Sequence, residues 1–255
     1  MKSLFTAISL LSILPLPQKL SSNVKNCSVY FPLVGFVLGF LYYGIGMALN
    51  LINVSADWTG LIILCTMAII TGALHLDGLA DTADGFFGGK TKDHILVIMK
   101  DSATGTFGAV ALFLLLLIKW TALVHISNEN NFWIIIPVVV LSRTAMTISA
   151  GLFQYARSNG TGHDIVSNTS FKSVILTITY TTLLMILFFG FASLILMAMS
   201  ITFSFLIGFY SRYKINGITG DVLGATCEIS EGLMLAVVPF LQNYFFPDQW
   251  SFIIS

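Results

Sequence analysis

Apolar stretches near the roughly 20 residues that cross a bilayer recur along the whole chain, at about Val29 to Ile52, Trp58 to Leu74, Thr106 to Val124 and Phe132 to Phe153. The run from Val174 to Tyr210 is too long for one helix and predicts two, turning near Gly190. A shorter run over about Leu233 to Phe246 brings the expected number of spans to about seven. Ahead of them, Lys2 leads a short apolar stretch that ends at Pro15 and Pro17. It lacks the small-residue cleavage site of a signal peptide. Ser3, Thr6, Ser9 and Ser12 interrupt it at regular intervals, which predicts a helix lying in the membrane interface rather than crossing. Residues 1–255 show no internal repeat, low-complexity tract or linker, so one membrane-embedded domain is expected. The predicted fold is all-α: a polytopic integral membrane helical bundle with an N-terminal interfacial helix.

Composition sharpens this picture. Hydrophobic residues make up 56% of the chain and charged residues only 9%, where a soluble domain carries about a quarter charged. A water-soluble globule is excluded. The 21 Gly and 21 Phe suit helices that approach closely in lipid, small residues at the contacts and bulky ones filling the gaps. The formal net charge is zero, so bulk electrostatics gives no reason to expect a nucleic acid partner. Cys27, Cys65 and Cys227 are widely separated and odd in number, so they imply neither a zinc site nor a disulfide framework and read as small fillers.

The placement of charge says more than its sum. With the predicted spans, Lys2, Lys19, Lys25, Lys90, Lys92, Lys100, Arg157, Lys172, Arg212 and Lys214 all fall on one side of the membrane. The other two basic residues, Lys119 and Arg143, lie within spans. Cytoplasmic loops are enriched in Lys and Arg, so the N-terminal side is expected to be the cytoplasm. The long polar segments Leu76 to Gly105, Gln154 to Ser173 and Ser211 to Gly232 share that side, and function is expected there.

The segment His75-Leu76-Asp77-Gly78-Leu79-Ala80-Asp81-Thr82-Ala83-Asp84-Gly85 follows the second span. In a helix, Asp77, Asp81 and Asp84 share one face, and three neighbouring carboxylates call for a hard divalent cation, magnesium first, which also binds phosphates. An ordinary helix start with a solvated acidic face is the plain alternative. Gly88-Gly89-Lys90 and then Lys100-Asp101-Ser102-Ala103-Thr104-Gly105 lead into the third span. Small residues and hydroxyls before a helix suit phosphate binding to free amides, although Asp101 or Ser102 could equally cap that helix. A third cluster brings Asp221, Glu228 and Glu231 to one helical face just before the last predicted span, as a second metal-binding or substrate-orienting face or, more simply, with Asp221 as a cap. Arg143, near the middle of its span, needs an anionic partner, either a carboxylate or a substrate phosphate, whereas Lys119 can snorkel to the far interface. Arg157, with Gly160 and Gly162 after it, is a further candidate phosphate contact. Of the four histidines, His75 stands out beside Asp77, and His94, His125 and His163 read as surface residues.

Together the strings HLDGLADTADGFFGG, IMKDSATGTFG with ALFLLLLIK, Ser142-Arg143, Tyr155-Ala156-Arg157 and GITGDVLGATCEISE resemble the cobalamin synthase family, the adenosylcobinamide-GDP ribazoletransferases. The Leu14-Pro15-Leu16-Pro17 segment also resembles the start of that family, and Lys90, Lys92 and Lys100 stand where Arg is often found. The resemblance implies a multi-pass enzyme of a prokaryotic inner membrane, its active site facing the cytoplasm. A ribose hydroxyl of alpha-ribazole, or of its 5'-phosphate, would attack the phosphorus attached to cobinamide in adenosylcobinamide-GDP and release GMP. It assigns Asp77, Asp81 and Asp84 to Mg2+, with one of them or His75 as general base. Glu228 and Glu231 become a further metal face, and Lys90, Lys100, Asp101, Ser102, Arg143, Arg157 and Asp221 contact substrate. The lipid bilayer is the other partner, no nucleic acid is expected, and a homo-oligomer is left open.

Two other readings compete. A CDP-alcohol phosphotransferase also clusters Asp at the cytoplasmic face, but its DGxxAR and GxxxDxxxD pattern is absent here. A cation transporter would place carboxylates near mid-span and polar loops on both sides.

Overall fold

The computed structural model describes residues 2–14 and 24–245. The Pro15 and Pro17 segment lies outside the described residues, as does Lys19. Among the described residues the chain forms α-helices joined by short turns, with one isolated pair of bridging residues and no sheet. The helices are α1 (Lys2–Leu11), α2 (Phe31–Leu51), α3 (Ala56–Ile70), α4 (Leu74–Gly88), α5 (Lys92–Ile98), α6 (Thr106–Asn128), α7 (Ile135–Leu152), α8 (Thr161–Ser167), α9 (Phe171–Phe189), α10 (Ser193–Ile215) and α11 (Gly220–Phe245).

Six of these helices are long and apolar enough to cross a membrane, and α3 with α4 forms a seventh, broken unit bent by 85°. The protein is a multi-pass helical membrane protein, with the short apolar α1 in the position expected for the interfacial helix. Local signals explain the ends. Pro32 opens α2. Gly190, at φ 70°, turns α9 into α10 as expected, and Asn216, at φ 60°, stops α10. The α3–α4 break is built from Gly72 and Ala73, both left-handed at φ 60° and 54°. A left-handed Ala costs roughly 1–2 kcal/mol, so packing on both sides holds this bend in place.

The span through α7 is the axis of the bundle, 94% of it buried, against 28–39% for α2, α6, α9 and α10. The helices α2, α9, α10 and α11 pack around α7, while α2, α6, α9 and α10 turn an apolar face to lipid. Cys27 and Cys227 are buried, as expected of fillers, but Cys65 is exposed on α3.

Two boundaries differ from the sequence reading, and both matter for the site. The second span ends at Ile70, and Leu74 begins α4, so the Asp77 to Asp84 segment is a packed helix rather than a loop. The last helix starts at Gly220 rather than near Leu233 and runs unbroken to Phe245. At 1.5 Å per residue, Glu231 lies about 15 Å beyond Asp221 along the axis, half the thickness of the hydrocarbon core. Glu228 and Glu231 are thus inside the membrane, not in front of it.

Candidate active site

The acidic face of α4 meets the first turn of α11. Gly78 packs against Asp221 so closely that a Cβ there would come within 2.7 Å of the Asp221 carbonyl oxygen. This contact sets Asp221 beside the α4 carboxylates, and Asp81 lies in the electrostatic field of Asp77, Asp221, Arg157 and Asp84. Asp77 is exposed and Asp81 half-buried. The carboxylates of Asp77, Asp81 and Asp221 thus gather where α4 and α11 emerge on the face that carries the polar segments.

Arg157 is the cation of this group. Its Nη1 lies 3.1 Å from Asp221 Oδ2, and its Nη2 donates to the Met99 carbonyl at 3.5 Å. Backbone pairing places it: the Ala156 amide donates to Ile218 O at 2.8 Å, and the Ile218 amide to Gln154 O at 2.9 Å. The stretch around Tyr155 is thereby pinned to the lead-in of α11. Burial pushes the Tyr155 hydroxyl above its ordinary pKa, while the neighbouring Arg157 guanidinium opposes that shift. Thr219 caps α11 by accepting from the Val222 amide at 3.3 Å, and its hydroxyl donates to Asp221 Oδ2 at 3.2 Å. Asp221 is therefore oriented by Thr219 and Arg157 and does not itself cap the helix.

Asp84 has a different task. It is buried, and its two oxygens accept from the amides of Gly105 at 2.7 Å and Gly108 at 2.8 Å. Gly105 is the N-cap of α6 and offers no side chain, so Asp84 supplies the cap from a distance and matches the positive end of the helix. A Cβ on Gly108 would lie 2.4 Å from the carboxylate, which is why a glycine stands there. Two amides expected to receive a phosphate are thus already occupied. Asp101 accepts from the Ala103 amide at 3.0 Å and stabilises the loop, not the helix start. Lys90, Lys100, Asp101 and Ser102 are all exposed, and none forms an ion pair with the acidic group among the described residues.

Inside the membrane lies a second polar cluster. Lys119 on α6 donates to Glu228 Oε2 at 2.5 Å and to Glu231 Oε1 at 2.8 Å. Arg143 on α7 pairs with Glu231 Oε2 and donates to Ser142 Oγ at 2.8 Å. All four charged side chains are 2–6% exposed. Two cations and two anions balance, which is what burial of charge requires. Glu228 and Glu231 are therefore ion-pair partners rather than the metal ligands expected, because Lys119 and Arg143 already neutralise them. Of the two partners expected for Arg143, the carboxylate is the one present, and Lys119 pairs with Glu228 and Glu231 instead of snorkelling. His75 is also buried, at 2% exposure, in the field of Arg143, Glu231 and Lys119. It faces this inner cluster and not the exposed carboxylates, which speaks against its expected role as base. The sequence signal for this network was the pairing of two in-span cations with two acids only three residues apart.

Among the described residues no group of three or more His, Cys, Asp or Glu is drawn together tightly enough to hold a metal ion. The donor set at the surface nevertheless fits a hard cation in its chemistry. Asp77, Asp81 and Asp221 supply oxygen ligands only and repel one another, and among the described residues the one ion pair in this group is Arg157 with Asp221.

The family description Cobalamin-5-phosphate synthase matches residues 3–239. An adenosylcobinamide-GDP ribazoletransferase of Prosthecochloris aestuarii is 36% identical over 236 residues, covering 91% of this chain and 94% of that protein. Proteins of the same name from Fusobacterium nucleatum and Clostridioides difficile are 31% and 34% identical, over 96% and 86% of this chain and 99% and 88% of their own lengths. No solved structure matches. Since both the family match and the relatives take in α4, Arg157 and the start of α11 together, the chain belongs to the cobalamin-5-phosphate synthase family.

Proposed function

We propose that this protein catalyses the transfer named in its relatives: cobinamide phosphate passes from adenosylcobinamide-GDP to alpha-ribazole or its 5'-phosphate, and GMP leaves. The observation that carries this reading is the convergence of Asp77 and Asp81 on α4 with the Asp221–Arg157 pair. In the step, a ribose hydroxyl oxygen forms a bond to the phosphorus attached to cobinamide. The bond from that phosphorus to the GMP oxygen breaks, its electron pair leaves with GMP, and the hydroxyl proton passes to a base.

The reacting diphosphate carries negative charge into a site that is itself acidic. Arg157 is placed to meet a phosphate oxygen, because its guanidinium is partly exposed and tethered by Asp221 and Met99 O. Magnesium, held by Asp77, Asp81 and Asp221, would supply charge neutralisation at the diphosphate. Asp84 fixes the start of α6 beside this face and so keeps the Met99 to Gly105 loop in position. Asp77 and Asp81 form no cap or ion pair among the described residues, so whichever of them is not ligating the cation can accept the hydroxyl proton.

We place this face in the cytoplasm of a prokaryotic inner membrane, on the distribution of Lys and Arg. The test is direct: purified protein incubated with adenosylcobinamide-GDP, alpha-ribazole and magnesium releases GMP and forms a cobalamin. Absence of GMP release from a folded preparation contradicts the reading.

A further inference from the structure

An apolar groove of about 350 Å³ lies on the outer side of the bundle, between α9 and α10 with α7 as its floor. Its size is within the range of small-ligand sites, roughly 300–1,000 Å³. Ile148 and Phe153 form the floor, and Ile178, Ile201 and Phe205 are among its walls. Every lining side chain is apolar except Arg212. A smaller neighbouring space of about 190 Å³ shares Leu152, Phe153 and Arg212 with it and adds Gln154.

The direction of the groove follows from the helices. α9 and α10 are joined at Gly190 on the far face, and the groove lies toward their other ends. From Ile201 to Arg212 it runs 11 residues along α10, about 16 Å, which is one leaflet of a ~30 Å hydrocarbon core. Arg212 is exposed and makes no ion pair or hydrogen bond through its side chain among the described residues. A cation near the end of a helix is favoured by the dipole alone. An apolar channel one leaflet long that terminates on that cation has a second match, an acyl chain joined to an anionic headgroup.

We propose that this groove binds one phospholipid of the leaflet on the acidic-site face, an acyl chain lying along Ile201 and Phe205 and an anionic headgroup on Arg212. The choice of an anionic lipid rests on charge complementarity with a guanidinium that has no partner among the described residues. The bound lipid also touches Leu152 and Phe153, two residues before the stretch pinned to the lead-in of α11, so the site lies next to the segment that carries Arg157. The inference stands on the groove and Arg212 alone and does not depend on the proposed reaction.

The experiment uses the full chain in phosphatidylcholine vesicles doped with a photoactivatable phosphatidylglycerol or, separately, a photoactivatable phosphatidylcholine. Labelling of the peptides around Ile178 and Phe205 is read by mass spectrometry. Phosphatidylglycerol is expected to label them about fivefold more than phosphatidylcholine. Arg212→Gln should abolish that preference, and Ile178→Trp, which fills the groove from a lipid-facing helix, should lower labelling by both probes. Equal labelling by the two lipids, or an unchanged preference in Arg212→Gln, overturns the proposal. So does cysteine cross-linking at position 178 between two copies of the chain, which would make the groove a subunit interface.

Discussion

Arg157 Nη1 lies 3.1 Å from Asp221 Oδ2, although the two residues are far apart in sequence and on different elements. The pair ties the loop after α7 to the first turn of α11 and leaves the guanidinium facing the acidic group. Arg157→Lys keeps a charge but loses the fork that can hold a carboxylate and a phosphate together. It should lower kcat/KM by roughly 10²–10³, the loss typical of one transition-state donor. Steady-state GMP release checks this, and a variant within about threefold of the parent would remove Arg157 from the reaction.

Gly78 controls how near α4 comes to α11. Gly78→Val would press at least one methyl into the Asp221 backbone, where a Cβ alone already comes within 2.7 Å. Such overpacking costs typically about 1–3 kcal/mol and pushes Asp77 and Asp81 away from Asp221. The variant should stay in the membrane at normal levels while turnover falls at least about tenfold, since small misplacements cost that much or more. Immunoblotting of the membrane fraction alongside the activity assay separates lost activity from lost protein.

The inner cluster predicts stability effects that are not additive. Lys119→Met leaves Glu228 without its cation, and breaking a buried pair from one side costs about 3–5 kcal/mol. Adding Glu228→Gln removes the orphaned charge while Arg143 and Glu231 remain paired. The double variant should therefore recover more than half of the drop in unfolding midpoint caused by Lys119→Met, as measured by thermal unfolding in detergent. The same pairing bears on the transporter reading. Its expected mid-span carboxylates do occur, as Glu228 and Glu231, but Glu228 is already held by Lys119 of α6 and Glu231 by both Lys119 and Arg143 of α7.

Much of the fold was legible because the bilayer imposes one long apolar run per helix. The turn at Gly190, the short α1 and the shared face of Asp77 and Asp81 all follow from spacing. The start of α11 did not, because Asp221, Glu228 and Glu231 lower the local hydropathy and move the apparent span to Leu233. The role of Asp84 was equally hidden. Its partners are the amides of Gly105 and Gly108, more than 20 residues on, and only packing of α4 against α6 brings them within reach. Spacing made Asp84 look like Asp81, whereas the fold gives one to a helix end and leaves the other at the surface.

That division predicts different behaviour for two like substitutions. Asp84→Asn weakens the cap of α6 and should cost about 1 kcal/mol of stability, with an activity loss that added magnesium does not repair. Thermal unfolding and a magnesium titration of turnover check both parts. Equal rescue of Asp84→Asn and Asp81→Asn by magnesium would return Asp84 to the metal site.

The central claim is that Asp77, Asp81 and Asp221 form a cation-dependent phosphotransfer site. Its most direct test is GMP release from adenosylcobinamide-GDP and alpha-ribazole by the parent protein and by Asp81→Asn, measured across magnesium concentrations and after EDTA. Asp81→Asn retains shape and hydrogen bonding but removes one charged oxygen ligand, so the protein should remain folded in the membrane. The expected result is an EDTA-inactivated parent that magnesium restores. Asp81→Asn should be slower by several orders of magnitude, regaining part of its activity only at excess magnesium. A fully active Asp81→Asn, together with a parent that EDTA leaves untouched, would contradict it.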